Sequence, residues 1–315
     1  MTDPNASIAV SELTKRFPGV LAVDRLSFSA APGEIFGLVG PDGAGKTTTL
    51  RMLAGVLPPD RGWARVAGCD VVDDPEGVKN HISYMPQRFG LYDDLTVEEN
   101  IRFYADLFGV TRRHREQRAA RLLAASGMSE FRHRLAGKLS GGMKQKLGLT
   151  CALIHTPQVI LLDEPTLGVD PISRRDFWRI LYELLAEGVT ILISTSYLDE
   201  AERCHRLALL HQGRLLFCDT PARLKTRLPG AVVAVRSPEA RRLRDVLTGA
   251  DGVTCLVLVG DGIHLMVDEA QRRIPELEAR LAASGLPFTK LAQITPTIED
   301  LFVAAVEGRT VAGKQ

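Results

Sequence analysis

The segment Gly40-Pro41-Asp42-Gly43-Ala44-Gly45-Lys46-Thr47 carries the densest chemistry in the chain. Its glycines let successive backbone N–H groups turn inward around an anion, and a helix starting beside them would add its positive end. Lys46 supplies a mobile charge to outer phosphate oxygens, and the Thr47 hydroxyl is placed for Mg²⁺. The pattern GxxxxGK[ST] between a strand and a helix is the context in which such a loop holds a nucleoside triphosphate. Gly40, Gly43, Gly45, Lys46, Thr47 and Thr48 are therefore the candidate nucleotide contacts, with ATP and Mg²⁺ as the expected ligands.

Further along, the apolar run Val159-Ile160-Leu161-Leu162 delivers Asp163 and Glu164 into a loop. Asp163 would hold the Mg²⁺ sphere and Glu164 would polarise an attacking water. Alone the pair says little; after a phosphate loop it gains weight. The run Leu139-Ser140-Gly141-Gly142-Met143-Lys144-Gln145 places a serine and two bare backbone amides at a helix start. That is either a second anion seat or a well-capped helix with a close-packed glycine pair.

These groups need a scaffold. Apolar alternation predicts early strands at 8–13 and 21–28 around a Phe17-Pro18-Gly19 turn. A strand at 34–39 feeds the phosphate loop, a helix follows at 46–54, and a turn closes the unit at 58–62. Strand pieces are expected at 66–68 and 81–85, and helices at 96–109, 112–126 and 139–153. The helix at 112–126 bears Arg112, Arg113, Arg115, Arg118 and Arg121, which reads as a solvated face or as a contact for a partner or acidic headgroups. Then come a strand at 159–162, a helix at 174–187, a strand at 189–194 and a helix at 198–206. Apolar strands alternating with helices predict a largely parallel sheet covered on both faces.

Past about residue 220 the texture changes to a β-α-β-β-α-β series at 231–235, 240–247, 253–259, 262–267, 274–284 and 288–291. That order is ferredoxin-like. Pro221 and Pro229-Gly230 mark the boundary, which gives domains at 1–220 and 221–308 and a flexible tail at 309–315.

The 315 residues suffice for one large domain and a small one. With 39 Lys plus Arg against 38 Asp plus Glu, the net charge of +1 offers no general attraction for nucleic acid. The five scattered cysteines form no CxxC pair and read as reduced thiols of a cytosolic compartment. The start, MTDPNASIAV, lacks the pattern of a secretory signal, and no apolar run approaches the length needed to cross a bilayer.

Taken together, LSGGMKQ between a phosphate loop and VILLDEP resembles the signature of the ATP-binding-cassette transporter family over residues 8 to about 220. The resemblance implies a P-loop NTPase cassette, α/β, whose core sheet has an N-terminal antiparallel part and an inserted helical subdomain at about 88–155. It also implies two cassettes closing head to tail, so that Ser140, Gly141, Gly142 and Gln145 of one chain face the phosphates held by Lys46 of the other. Phe17 matches the aromatic that stacks on adenine, and Gln87 the glutamine that senses Mg²⁺ and water. Asp170 matches an aspartate of the dimer interface. One position departs: the family usually shows His where Ser196 stands, which implies weaker hydrolysis at this chain's own site. His205, expected inside a helix, is a poor substitute.

The segment 89–100 and the Thr295-Pro296-Thr297-Ile298-Glu299-Asp300-Leu301-Phe302 stretch resemble the drug and antibiotic exporter branch, including the first half of a tandem bacterial ATPase. That branch works with six-helix ABC-2 type permeases. The implied partners are a second cassette subunit, identical or not, and such a permease, contacted around residues 88–100. The implied location is the cytoplasmic face of the bacterial inner membrane. The alternative is a soluble cassette ATPase acting on a ribosome or on DNA-repair partners.

Overall fold

The computed structural model describes residues 5–306, so the expected tail at 309–315 lies outside the described residues. The chain divides into two compact units. The first runs to Glu200 and resumes over Cys204–Cys218; the second takes Ala201–Arg203 and the chain from Asp219 onward.

In the first unit, strands β1 (Ile8–Phe17) and β2 (Val20–Ala30) pair antiparallel and run further than their apolar cores predict. An irregularity between Val10 and Leu13, with Glu12 at φ 50°, lets β1 continue beyond its first apolar stretch. Five wholly buried residues form β3 (Ile35–Val39), which leads through the glycine-rich loop into α1 (Lys46–Leu53). Next, β4 (Arg61–Val66) begins inside the turn expected at 58–62, because Arg61 already pairs with Thr14 of β1. A short β5 (Cys69–Asp70) completes a sheet of order β2-β1-β4-β5. Asp74 caps α2 (Pro75–His81), which enters β6 (Ile82–Met85) directly.

Three helices then pack on one another: α3 (Val97–Leu107), α4 (Arg112–Ala125) and α5 (Gly141–Leu153). A capping box between Thr96 and Glu99 starts α3. Val97, Ile101, Leu123, Leu147 and Cys151 fill the space between the helices. The arginines of α4 are largely engaged within the chain: Arg112 with Glu116, Arg115 with Asp106, Arg121 with Glu187, and Arg118 with the Leu153 carbonyl. That arrangement favours the solvated-face reading of the basic segment.

The chain returns to the sheet as β7 (Val159–Asp163), α6 (Pro171–Ala186) and β8 (Thr190–Thr195). Helix α6 starts earlier than its apolar pattern suggests because Asp170 caps it and Pro171 occupies its first position. The helix expected at 198–206 is wrong beyond its first turn. Only α7 (Leu198–Ala201) is helical, and β9 (Arg206–His211) and β10 (Arg214–Asp219) follow. The His205 amide donates to the Ile35 carbonyl, starting a parallel ladder with β3 that outcompetes further helix.

The main sheet has the order β10-β9-β3-β8-β7-β6, with β3, β6, β7, β8 and β9 in parallel pairings. Its central strands β3, β7 and β8 are wholly buried and mostly apolar because both faces are covered. Phe36, Leu38, Leu161 and Leu192 pack in one core, and Ile35, Ile160, Leu162, Ile191 and Ile193 in the other with Phe177 and Trp178. The register sets Val39 beside Thr195 and Asp163 beside Ser194, so the loops after β3, β7 and β8 emerge at one edge.

The second unit begins with α8 (Pro221–Lys225), then β11 (Ala231–Arg236), α9 (Ala240–Leu247), β12 (Val253–Val259), β13 (Gly262–Val267), α10 (Ala270–Ser284), β14 (Ala292–Ile294) and α11 (Ile298–Val306). The sheet order β12-β13-β11-β14, antiparallel throughout, is that of a ferredoxin-like fold. The last strand lies beyond its expected 288–291 position. There Thr289 bonds the Arg236 backbone through both its amide and its hydroxyl, and the regular ladder starts only at Ala292.

Candidate nucleotide site

The glycine-rich loop turns sharply between β3 and α1. Gly45, the residue before the helix, has φ 96°, and a Cβ there would meet the Ala22 carbonyl oxygen at 2.5 Å, so no other residue fits. No side chain caps α1, which leaves the amides of its first turn, where Lys46, Thr47 and Thr48 lie, available to an anion. Gly40 donates its N–H to the Thr195 carbonyl at 3.2 Å, tying the loop to the end of β8. Gly43 lies at the exposed crest with φ 76°.

Lys46 is buried at 4% exposure, and its ammonium donates to the carbonyls of Gly40 at 2.7 Å and Pro41 at 3.0 Å. It also pairs with Glu164 Oε1 at 2.9 Å. Beside it, Thr47 Oγ1 donates to Asp163 Oδ1 at 2.9 Å. Residues that are far apart in sequence thus form one cluster at the C-terminal ends of β3 and β7. Glu164 holds φ 47°, a left-handed backbone that costs on the order of 1–2 kcal/mol for a residue with a Cβ. Its amide donates to both the carbonyl and the hydroxyl of Ser194, which hold the turn.

Two contributors carry no motif. Ser194 Oγ donates to Asp163 Oδ1 at 2.8 Å, and Tyr84 Oη lies 3.4 Å from Asp163 Oδ2. Burial and the Asp163 charge push the Tyr84 phenol up to about 12, so it stays a donor. A serine or tyrosine near a strand end is too common to single out; only the sheet register identifies these two.

Thr47 and Asp163 provide the oxygen ligands that suit Mg²⁺. Among the described residues no cluster of three or more His, Cys, Asp or Glu forms a metal cage. One hydroxyl and one carboxylate are too few to enclose an ion, so a Mg²⁺ held there would keep water and phosphate oxygens in its shell. Gln87 sits on an exposed bend after β6. Ser196 is half-buried directly after β8. His205 is occupied elsewhere, its Nδ1 accepting the Ile35 amide at 3.2 Å, and it lies on a bend rather than in a helix. Phe17 ends β1 at 43% exposure, with the Lys15 ammonium 5.9 Å from its ring, so it is a surface aromatic and not a core residue.

The second helix start is built differently. Ser140 caps α5 by accepting the Met143 amide at 3.3 Å, and both Ser140 and Gly141 are exposed. Gly142 is needed because a Cβ there would come within 2.6 Å of Ser173 Oγ, where α5 packs on the start of α6. Asp170 accepts the amides of Ser173 and Ile172, which holds its carboxyl below the ordinary range. The Oε1 atom of Gln145 is buried without a hydrogen-bond partner. The serine cap leaves Gly141 exposed while Gly142 is buried, so the capped-helix reading holds and Gly141 alone keeps an exposed place at the helix start.

Comparison with known proteins places this geometry in a family. The profile described as ABC transporter matches residues 23–167. The chain is 46% identical over 308 residues to the "Probable multidrug ABC transporter ATP-binding protein YbhF" of Escherichia coli (strain K12), covering 96% of this chain and 53% of that protein. It thus spans about half the length of this relative. It is 39% identical over 241 residues to the "Daunorubicin/doxorubicin resistance ATP-binding protein DrrA" of Streptomyces peucetius, covering 76% of this chain and 73% of the relative. A solved structure described as the ATP binding subunit of an ABC transporter superposes with a TM-score of 0.64 at 31% identity, over 70% of this chain and 92% of that one. The phosphate loop, the paired carboxylates and the cassette fold therefore have one explanation: the chain belongs to the ATP-binding subunits of the ABC transporter family.

Proposed function

We propose that this protein hydrolyses ATP to power an ABC-2 type membrane exporter of drugs, antibiotics or related compounds. The observation that carries the reading is the buried Lys46–Glu164 pair at 2.9 Å beside the uncapped start of α1. A triphosphate arriving there offers Lys46 stronger acceptors than two carbonyls and one carboxylate. As the ammonium turns to the outer phosphates, the Glu164 carboxylate is released to take a proton from water. The water oxygen then bonds to the γ-phosphorus, the β–γ bridging bond breaks, and ADP and phosphate leave. Bound Mg²⁺ would neutralise part of the phosphate charge from ligands Thr47 and Asp163. Ser140, Gly141, Gly142 and Gln145 would complete the site of a second cassette, with Asp170 at that interface, so that ATP joins two subunits.

A groove of about 280 Å³ lined by Val56, Tyr84, Phe89, Tyr104, Leu107 and Phe108 supports the transporter reading over a ribosomal or DNA-repair role. Leu107 is 67% and Val56 62% exposed, an apolar surface suited to an amphipathic cytoplasmic helix of a permease. This surface adjoins the segment at 88–100 through Phe89. No helix among the described residues is long and apolar enough to cross a membrane, so attachment at the cytoplasmic face of the inner membrane would run through the permease.

The test is purification from detergent-solubilised membranes. Co-purification with a polytopic protein, lost on Leu107→Asp, is the expected outcome, together with ATP hydrolysis by the complex. Co-sedimentation with ribosomes at moderate salt would favour the soluble alternative.

A further inference from the structure

Strand β8 ends in Ser194 and Thr195, and the two hydroxyls face different partners. Ser194 binds Asp163 and Glu164, as described above. Thr195 Oγ1 accepts the Tyr197 amide at 3.0 Å and donates to Glu200 Oε2 at 2.9 Å. The other oxygen, Glu200 Oε1, accepts the Thr166 hydroxyl at 2.8 Å and the Trp178 indole N–H at 3.2 Å. Arg174 approaches the same oxygen at 3.6 Å and lies 4.1 Å over the Tyr197 ring.

Glu200 and Trp178 are fully buried, and Thr166 and Thr195 nearly so. A carboxylate removed from water in this way is tolerated only when donors saturate it, and a saturated buried network is rigid. The network joins segments that matter to the site. Thr166 follows Glu164 by one proline, Thr195 precedes Ser196, and the Thr195 carbonyl holds Gly40 of the phosphate loop.

We propose that Glu200 is a positioning residue for ATP hydrolysis: its carboxylate clamps Thr166 and Thr195 and so holds Glu164 and Ser196 in register with the phosphate loop. The inference rests on the hydrolytic reading above. Glu200 itself touches neither phosphate nor water. Its loss acts on turnover, which depends on placing Glu164 to within fractions of an ångström, more than on nucleotide affinity, which the α1 amides and Lys46 supply.

The donors can be removed one at a time. Thr166→Val and Thr195→Val each delete a clamp on a catalytic segment, whereas Trp178→Phe deletes the donor on α6. The two threonine variants should each lower kcat about tenfold with KM for ATP within about twofold. Thr195→Ser, which keeps the hydroxyl, should restore kcat, and Trp178→Phe should lower Tm but leave kcat within about twofold. A parallel fall in Tm for all three donor deletions, with kcat unchanged, would make Glu200 a purely structural residue and overturn the proposal. Hydrogen exchange gives a readout that does not need hydrolysis. Thr166→Val should speed exchange of the 195–198 amides, and unchanged exchange there overturns the clamp. If the wild-type protein binds ATP but shows no turnover while exchange responds as expected, the hydrolytic reading of the isolated chain fails and the clamp stands.

Discussion

The two units use burial for opposite ends. In the first, Lys46, Asp163, Glu164, Ser194, Thr195 and Glu200 are all buried, and Glu164 carries an unfavourable backbone conformation. In the second, the core of Val233, Val235, Leu243, Leu247, Ile263, Leu265 and Leu281 is apolar. One ion cluster there, Arg273 with Asp268 and Glu276, has both carboxylates half exposed. That unit also buries Asp300, paired with His264 at 2.9 Å. Polar groups are costly inside a protein unless paired, and the first unit gathers many of them at one site, whereas the second buries few and pairs them. The contrast separates a reacting site from a packed accessory domain, for which we propose a regulatory or dimer-stabilising role.

The largest effect expected is on hydrolysis in the first unit. Glu164→Gln should lower ATP turnover about a thousandfold while nucleotide affinity persists, since the amide keeps the shape but not the basicity. Turnover at the wild-type rate, measured by phosphate release, would show that another group takes the proton. Next, Lys46→Ala should weaken ATP binding about a hundredfold, because the outer phosphates lose the loop's one cationic side chain. It also leaves Glu164 as an uncompensated buried charge, so Tm should fall in parallel. Unchanged affinity in calorimetry would break the assignment of the loop.

A smaller and opposite effect is expected at position 196. Ser196→His puts a longer donor and acceptor two positions after Ser194, which bonds Asp163 and Glu164, and should raise turnover of the isolated protein about tenfold. If the wild type turns over at several per second and gains nothing, the serine is not limiting. Mixing with a second cassette subunit tests the same point from the other side, since a large gain would mean that the productive site belongs to an asymmetric pair.

The smallest effect on nucleotide binding should come from the second unit. Leu247→Ala removes a fully buried side chain and should destabilise that unit by about 2–5 kcal/mol. ATP affinity should stay within about twofold, because Leu247 packs in the second unit's own core and shares no partner with the nucleotide site. A matching fall in affinity would show that the two units share one cooperative structure.

Much of this protein could be read from sequence because the relevant geometry is local. Strand, loop, Lys46 and α1 are contiguous, so the glycine spacing alone determines an anion cradle. The cap at Ser140 acts within one helical turn, and the β-α-β-β-α-β order follows from periodicity along neighbouring segments. Tertiary structure decided the rest. The apolar LALL run after His205 suits helix or strand equally, and only the open edge of β3 makes it β9. Ser194 meets Asp163 across 31 positions and Thr166 meets Glu200 across 34. Those meetings depend on β8 lying between β3 and β7. Hydrogen bonds act over about 3 Å, and the order of strands in a sheet is set by which buried faces pack together, so partners supplied by different strands leave no spacing in the chain that could announce them.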